Sequence, residues 1–178
     1  PSDIPECSLE ARKESNSLYI DPLKAVALTN NYIAHTHSQM SMFATMFFGV
    51  LDPETGWLSY VNGGHEPPII ISSSGVKGRL KPTGPAVGMM PDMKFKVQQI
   101  QLEPGDILMA YTDGVPEAHS PEGKFFSEQQ LLSLVEKPTA SASALLEGID
   151  VSLRDHIGDR DQFDDITMLA VRRLELGA

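Results

Sequence analysis

Long apolar runs and a basic N-terminus are missing from this sequence, cysteine is scarce, and each of these features excludes a class of protein. No apolar run among the 178 residues approaches the ~20 residues that a membrane-spanning helix needs. The polar start, Pro1 to Glu10, lacks the basic and then apolar pattern of a secretory signal peptide. The single cysteine, Cys7, cannot form an internal disulfide, which suits a reducing compartment. We therefore predict a cytoplasmic protein that is not bound to a membrane.

Positive charge is scarce as well. The chain has 14 Lys and Arg residues against 24 Asp and Glu residues, so its formal net charge is −10. An acidic surface repels phosphate backbones, and no run of Lys or Arg offsets it, so we predict no nucleic-acid partner. The length, with 41% hydrophobic and 21% charged residues, is typical of one ordinary globular domain.

Several kinds of catalytic motif are also missing. No serine lies in a nucleophile elbow, Cys7 lies in a polar leader, and there is no Walker-type glycine loop. The five histidines do not have the spacing of zinc ligands. His65, within a Gly- and Pro-rich segment, is predicted to be a hydrogen-bonded loop residue rather than a general base. These absences disfavour covalent nucleophiles and a zinc site.

Residues 1–20 have no clear apolar period and are predicted to be a leader, and a domain that begins with a helix is predicted over 21–178. Asp21-Pro22 is typical of a helix start, a capping side chain followed by proline at the first helical position. The predicted helix covers about 21–37, and its apolar face consists of Leu23, Val26, Ala27 and Ile33. We expect this face to pack on a sheet that contains the next apolar segment, 42–50.

The rest of the chain alternates short apolar runs with turn residues. Strands are predicted at 42–50, 57–61, 69–71, 95–102, 107–111 and 166–171, with a hairpin between the first two. Two helices are predicted to begin at Ser127 and at Ser141, the second ending near Arg154. Consecutive strands with helices before and after them indicate an α+β domain, whose last strand pairs with the earlier strands to bury its apolar run.

Two acidic segments lie at the ends of predicted strands. Asp113 follows the apolar strand 107–111 and precedes Gly114, while Asp164 and Asp165 lead into the terminal strand. If the two strands are neighbours, Asp113 and Asp164 can converge on one hard cation such as Mg²⁺ or Mn²⁺. The alternative is an ordinary turn and a solvated acidic loop, since other aspartates crowd the segment before Asp164.

At these residues the chain resembles the PPM-type (protein phosphatase 2C-like) serine/threonine phosphatases, in particular the bacterial sporulation-stage-II-E and RsbU-like branch. The resemblance runs from about Asp21 to Arg173 and depends on six motifs in a common order. They are Met42-Phe43-Ala44-Thr45-Met46-Phe47-Phe48-Gly49-Val50-Leu51-Asp52, Asn62-Gly63-Gly64-His65-Glu66-Pro67-Pro68, Gly84-Pro85-Ala86-Val87-Gly88-Met89 with Pro104-Gly105-Asp106, Tyr111-Thr112-Asp113-Gly114-Val115-Pro116-Glu117-Ala118, and Phe163-Asp164-Asp165-Ile166-Thr167.

The resemblance implies an αββα sandwich, two antiparallel sheets flanked by helices. It implies that Asp113 and Asp164 are the catalytic metal ligands, and that Gly114 and Asp165 lie at the edge of the metal shell. Water activated by Mn²⁺ or Mg²⁺, two ions in a complete domain, would attack the phosphorus of phosphoserine or phosphothreonine directly. In this branch the usual substrate is a phosphorylated STAS-type anti-anti-sigma protein, and an upstream sensor or receiver domain is a possible partner.

One family motif has no match in the sequence. The family places a further metal-ligating Asp in an Asp-x-x-Gly-x-Gly-like turn upstream of the segment that matches Asp21 onward, and residues 1–20 contain no such turn. Either these residues are part of a longer chain or the motif was lost, and the αββα sandwich is expected to be incomplete at its N-terminus. Weak metal binding and slow turnover are then expected for these 178 residues. The alternative function is a pseudophosphatase that binds a protein without hydrolysing it.

Overall fold

The structure, a computed structural model, describes residues 22–36, 42–162 and 164–174. The predicted leader 1–20, Asp21, His37 and Phe163 lie outside the described residues, as do the side chains of Pro22 and Leu23. Within the described ranges the chain forms three helices and seven strands. In order they are α1 (Pro22–Thr36), β1 (Met46–Leu51), β2 (Trp57–Gly63), β3 (Ile69–Ser72), β4 (Gly75–Arg79), β5 (Gln98–Gln101), β6 (Ile107–Tyr111), α2 (Glu128–Val135), α3 (Ala142–Ile157) and β7 (Met168–Arg172).

The strands form two antiparallel sheets. Sheet A has the order β1-β2-β5, and sheet B has the order β4-β3-β6-β7. Helix α1 packs on sheet A, while α2 and α3 pack on sheet B. The predicted α+β class and the sandwich of two antiparallel sheets with flanking helices are confirmed. The predicted pairing of the last strand with an earlier one is confirmed by β6 and β7.

Helix α1 covers sheet A with the apolar face that its sequence predicts. Val26 is buried against Val61 of β2, and Ile33 packs against the same cluster, which also includes Met46 of β1. Burial of side chains of this size contributes about 1.5–3 kcal/mol each, enough to fix the helix on the sheet. The predicted docking of the helix is therefore confirmed for these two residues. None of the helices in the described ranges is long and apolar enough to cross a bilayer.

The space between the two sheets is filled by apolar side chains from both. Leu58 and Tyr60 of β2 pack with Ile70 of β3 and Leu108 of β6 in one buried cluster. Alternate residues of a strand point to opposite faces of its sheet, so each of these strands contributes every second side chain to the interior. This shared core holds the central strands of the two sheets face to face.

The outer face of sheet B is covered by α2 and α3. Ser127 and Ser141 cap these helices, each with its side-chain oxygen accepting a hydrogen bond from a backbone N–H in the first turn. Leu131 of α2 and Ile149 of α3 are buried in the cluster that contains Met109 of β6. Both predicted helix starts are confirmed, although α3 continues past Arg154 to Ile157.

Strand boundaries were the weakest predictions. The strand predicted at 42–50 begins only at Met46, and the one predicted at 166–171 begins at Met168. The prediction of a strand over 95–102 is wrong in extent, because β5 covers only Gln98–Gln101 while Phe95 is buried beside Val61 and Val87. Apolar residues that pack outside a sheet produce the same pattern as strand residues, which explains the error.

Candidate active site

The ends of β6 and β7 meet at one end of sheet B. The register pairs Tyr111, the last residue of β6, with Met168, the first residue of β7. Asp113 follows β6 and Asp164 precedes β7, so both aspartates lie beyond this same end of the two strands. Thr112 fastens the two segments: its N–H donates to the Thr167 carbonyl at 3.0 Å, and its hydroxyl donates to the Asp165 carbonyl at 2.9 Å. Strands β6 and β7 are therefore neighbours, which is the arrangement under which the two acidic segments are expected to converge.

Gly114 lies directly against the second acidic segment. A Cβ atom added at this buried glycine would lie 2.5 Å from the carbonyl oxygen of Asp165 and 3.0 Å from its carbonyl carbon. Real Cβ atoms do not approach backbone this closely, so only glycine allows the segments to pack at this distance. The lack of a side chain at Gly114 thus allows the Asp113-Gly114 segment to pack against the Asp164-Asp165 segment.

Both candidate ligand side chains are exposed. One oxygen of Asp113, Oδ1, accepts a hydrogen bond from the Gly114 N–H at 3.1 Å, and Oδ1 of Asp164 accepts one from the Asp165 N–H at 2.7 Å. The other oxygen of each carboxylate has no hydrogen bond to the described residues. Asp165 is also exposed at this edge. Each aspartate therefore offers a carboxylate oxygen to solvent or to a ligand.

The donor set suits a hard cation that keeps most of its water. Within 22–36, 42–162 and 164–174, no group of three or more His, Cys, Asp or Glu side chains is arranged to hold a metal ion. Mg²⁺ is commonly bound through one or two carboxylates, and waters fill its remaining positions. Two exposed carboxylates at adjoining strand ends fit such a partly hydrated ion, and the roles of Asp113, Asp164, Gly114 and Asp165 stay predictions.

A loop from sheet A contributes a residue that the sequence reasoning did not single out, Glu66. Buried Asn62 holds this loop: its side-chain N–H₂ donates to the carbonyls of His65 at 3.1 Å and Leu80 at 2.9 Å. Its side-chain oxygen accepts the His65 N–H at 2.8 Å. His65 is thus a hydrogen-bonded loop residue, as predicted, and Glu66 follows it.

The charge of Glu66 is linked to the predicted metal ligand. Burial raises the pKa of the Glu66 carboxyl, and the nearby negative charges of Glu128 and Asp113 raise it further, while the Arg79 guanidinium lowers it. Glu66 therefore shares an electrostatic neighbourhood with Asp113 and with a group on β4, β6 and α2. That group consists of Arg79, Tyr111 and Glu128. These residues belong to three different elements, so no local sequence pattern predicts that they lie together.

Glu66 should make the stability of the domain depend on pH. Its pKa is raised on folding, so its contribution is complete below the ordinary Glu pKa of 4.5 and is lost as the pH rises through the folded-state pKa. Glu66→Gln removes this loss. We expect the melting temperature of the variant to exceed that of the wild type by more at about pH 8 than at about pH 4.

The control for this experiment is Glu147→Gln, which makes the same charge change at an exposed position of α3. It measures the effect of one fewer negative charge on a chain of net charge −10. A gain at high pH that is the same for both variants would contradict a specific effect of burial at Glu66.

Sequence comparison connects the chain to known proteins. The family profile described as Stage II sporulation protein E (SpoIIE) matches residues 9–174. Protein IcfG of Synechocystis is 48% identical over 171 residues, which cover 94% of this chain and 26% of IcfG. Phosphoserine phosphatase RsbU of Bacillus subtilis is 29% identical over 145 residues, which cover 80% of this chain and 43% of RsbU. The chain thus spans less than half the length of these two relatives.

Structure comparison gives the same fold. The SiaA-PP2C domain of Pseudomonas aeruginosa superposes with a TM-score of 0.70 at 20% sequence identity. The match covers 85% of this chain and 61% of the SiaA domain. At this level of identity the similarity shows a shared PP2C-type fold, with two antiparallel sheets between helices.

Proposed function

Since the chain belongs to the SpoIIE family of PP2C-type serine/threonine phosphatases, we propose that it hydrolyses phosphoserine or phosphothreonine in a protein substrate, with Asp113 and Asp164 holding a divalent cation. The observation that carries this proposal is the junction of β6 and β7. Thr112 and Gly114 bring the backbone of one aspartate segment against that of the other, and both carboxylates face outward.

In this proposal each residue at the junction has a separate task. Asp113 and Asp164 bind the cation, and Gly114 and Thr112 keep the two segments in register. Asp165 supplies the carbonyl that Thr112 holds, and its carboxylate lies at the edge of the site. A bound Mn²⁺ or Mg²⁺ would supply the Lewis acidity that makes water a competent nucleophile at neutral pH. Solved relatives of the fold support the choice of ion: RsbX was solved in complex with magnesium, and the SpoIIE phosphatase domain of Bacillus subtilis after presoaking with Mn.

The named relatives support the proposed substrate class. RsbU and RsbP of Bacillus subtilis are both named phosphoserine phosphatases, which supports a phosphoserine protein as the substrate here. The finer proposal is that the substrate is a STAS-type anti-anti-sigma protein and that the chain acts in partner-switching control of transcription; it rests on the family resemblance. A cytoplasmic location likewise stays a prediction.

The test is phosphate release from a phosphoserine protein by the 178-residue chain. We expect release to require added Mn²⁺ or Mg²⁺ and to stop in EDTA, because the chain offers no covalent nucleophile in a suitable motif. The rate can be slow, but phosphate release should be much faster in Mn²⁺ than in EDTA. Release that continues unchanged in EDTA would contradict the mechanism.

A second candidate is a pseudophosphatase that binds a phosphoprotein without hydrolysing it. The observation that favours it is the absence, within the described part of the chain, of a third metal-binding side chain beside Asp113 and Asp164. Binding of the phosphoprotein without any Mn²⁺-dependent release would support this function over hydrolysis.

A further inference from the structure

Arg79 is the last residue of β4. Its Nη2 donates to the hydroxyl of Tyr111 at 3.3 Å and forms an ion pair with Glu128, the first residue of α2. The side chain of Arg79 is 27% exposed and that of Glu128 is 45% exposed, whereas Tyr111 is buried. The guanidinium is thus fixed on one side by a buried ring and faces an exposed carboxylate on the other.

This guanidinium is close to the candidate active site. Tyr111, which it contacts, precedes Asp113 by two residues at the end of β6. The carboxyl of Glu66 interacts electrostatically with both Arg79 and Asp113. The positive charge of Arg79 therefore lies near Glu66, which is itself near the predicted metal ligand Asp113.

Most hydrogen-bonding capacity of Arg79 is unused. A guanidinium has five N–H donors, and here only Nη2 has protein partners among the described residues. Nε is buried without a partner in that part of the chain. An arginine fork matches phosphate and carboxylate groups well, and it stays charged at every relevant pH. The free donors that are not buried allow Arg79 to donate hydrogen bonds to a second anionic group.

We propose that Arg79 is a specificity-determining residue that binds an anionic oxygen group of the phosphoprotein. In the free protein Glu128 occupies this position, and the substrate anion replaces it. The Glu128 partner is exposed and the Arg79 side chain is partly exposed, so the ion pair is partly open to solvent and a substrate anion can displace Glu128 at small cost. This inference rests on the proposed function. The anion has two possible sources, the phosphoryl group itself or an acidic side chain next to the phosphoserine, and the experiment distinguishes them.

The experiment measures the binding of three fluorescent peptides by anisotropy. One has phosphoserine between alanines, one has phosphoserine between aspartates, and one has unphosphorylated serine between aspartates. EDTA is present so that the proposed hydrolysis stops. Arg79→Gln should weaken binding about tenfold, as the loss of a charge-assisted hydrogen bond does. Glu128→Gln should strengthen binding about two- to fivefold, because it removes the competing carboxylate.

The opposite signs of these two effects separate recognition from a structural role. If the ion pair only braced α2 against β4, both variants would weaken binding together, and that result would overturn the inference. The control is Lys81→Gln, which removes one positive charge at an exposed position two residues from Arg79. An equal loss in Lys81→Gln would show a general charge effect and would also overturn it. Melting curves establish that each variant is folded.

The peptides identify the source of the anion. If Arg79→Gln weakens the binding of both phosphorylated peptides equally, the anion that Arg79 binds is the phosphoryl group. If it weakens only the binding of the two aspartate peptides, the anion is the flanking acidic side chain. No measurable binding of any peptide to the wild-type chain would overturn the inference. Binding that depends on Arg79, without phosphate release in Mn²⁺, would instead contradict only the proposed hydrolysis.

Discussion

Replacing Asp113 with asparagine should lower Mn²⁺ affinity and the rate of phosphate release together. Asparagine keeps the size of the side chain but removes its negative charge, and hard divalent cations depend on charged oxygen ligands. Loss of an outer-shell partner already costs a metal site about 10- to 100-fold in affinity or activity, so loss of a direct ligand should cost at least as much. Calorimetric titration with Mn²⁺ and a phosphate-release assay measure the two quantities.

The matched control is Asp159→Asn. Asp159 is exposed in the acidic segment between α3 and Asp164, and the substitution makes the same change in charge and shape. Its Mn²⁺ affinity and phosphate release should stay near those of the wild type. If the two variants behaved alike, the effect at Asp113 would be one of overall charge, and Asp113 would not be a ligand.

Gly114→Ala should be strongly destabilising although it adds only one methyl group. The new Cβ would lie 2.5 Å from the carbonyl oxygen of Asp165, and a backbone atom cannot move aside as a flexible side chain can. The β6 and β7 ends must then separate, which strains the hydrogen bonds of Thr112 to Asp165 and Thr167. We expect the free energy of unfolding to fall by about 3 kcal/mol, at the upper end of overpacking costs. Urea denaturation measures this change.

Gly148→Ala is the control for the same substitution. Gly148 lies within α3, and a Cβ at this position would meet nothing within 4 Å. Alanine in an exposed helix interior is more favourable than glycine, so this variant should gain about 0.5–1 kcal/mol. A Gly114→Ala protein as stable as wild type would show that the β6 and β7 ends can separate freely, contrary to the tight junction described above.

Much of the fold was predictable because its signals are local. The apolar face of α1, the caps at Ser127 and Ser141, and the hairpin between β1 and β2 each depend on residues close together in the sequence. Strand β4 was missed because Gly75-Val76-Lys77-Gly78-Arg79 has two glycines and little apolar pattern. It forms because Ile69–Ser72 of β3 offers it an edge and the chain returns through a tight turn.

The candidate site was only half predictable. Asp113 and Asp164 stand in motifs, and the pairing of β6 with β7 followed from the need to bury the last strand. Glu66, Arg79 and Glu128 come from a loop, a strand and a helix that are far apart in the sequence. No local pattern connects them, and their electrostatic coupling exists only after the two sheets and α2 are packed.

The most direct test of a shared metal site is a double-mutant cycle on Mn²⁺ binding, measured by calorimetry on the wild type, Asp113→Asn, Asp164→Asn and the double variant. Two carboxylates that bind one ion cannot act independently. Each single variant should therefore lose binding free energy for Mn²⁺, and the double variant should lose less than the sum of the two single losses. Losses that add in full, or a single variant that binds Mn²⁺ as the wild type does, would contradict a common site for Asp113 and Asp164.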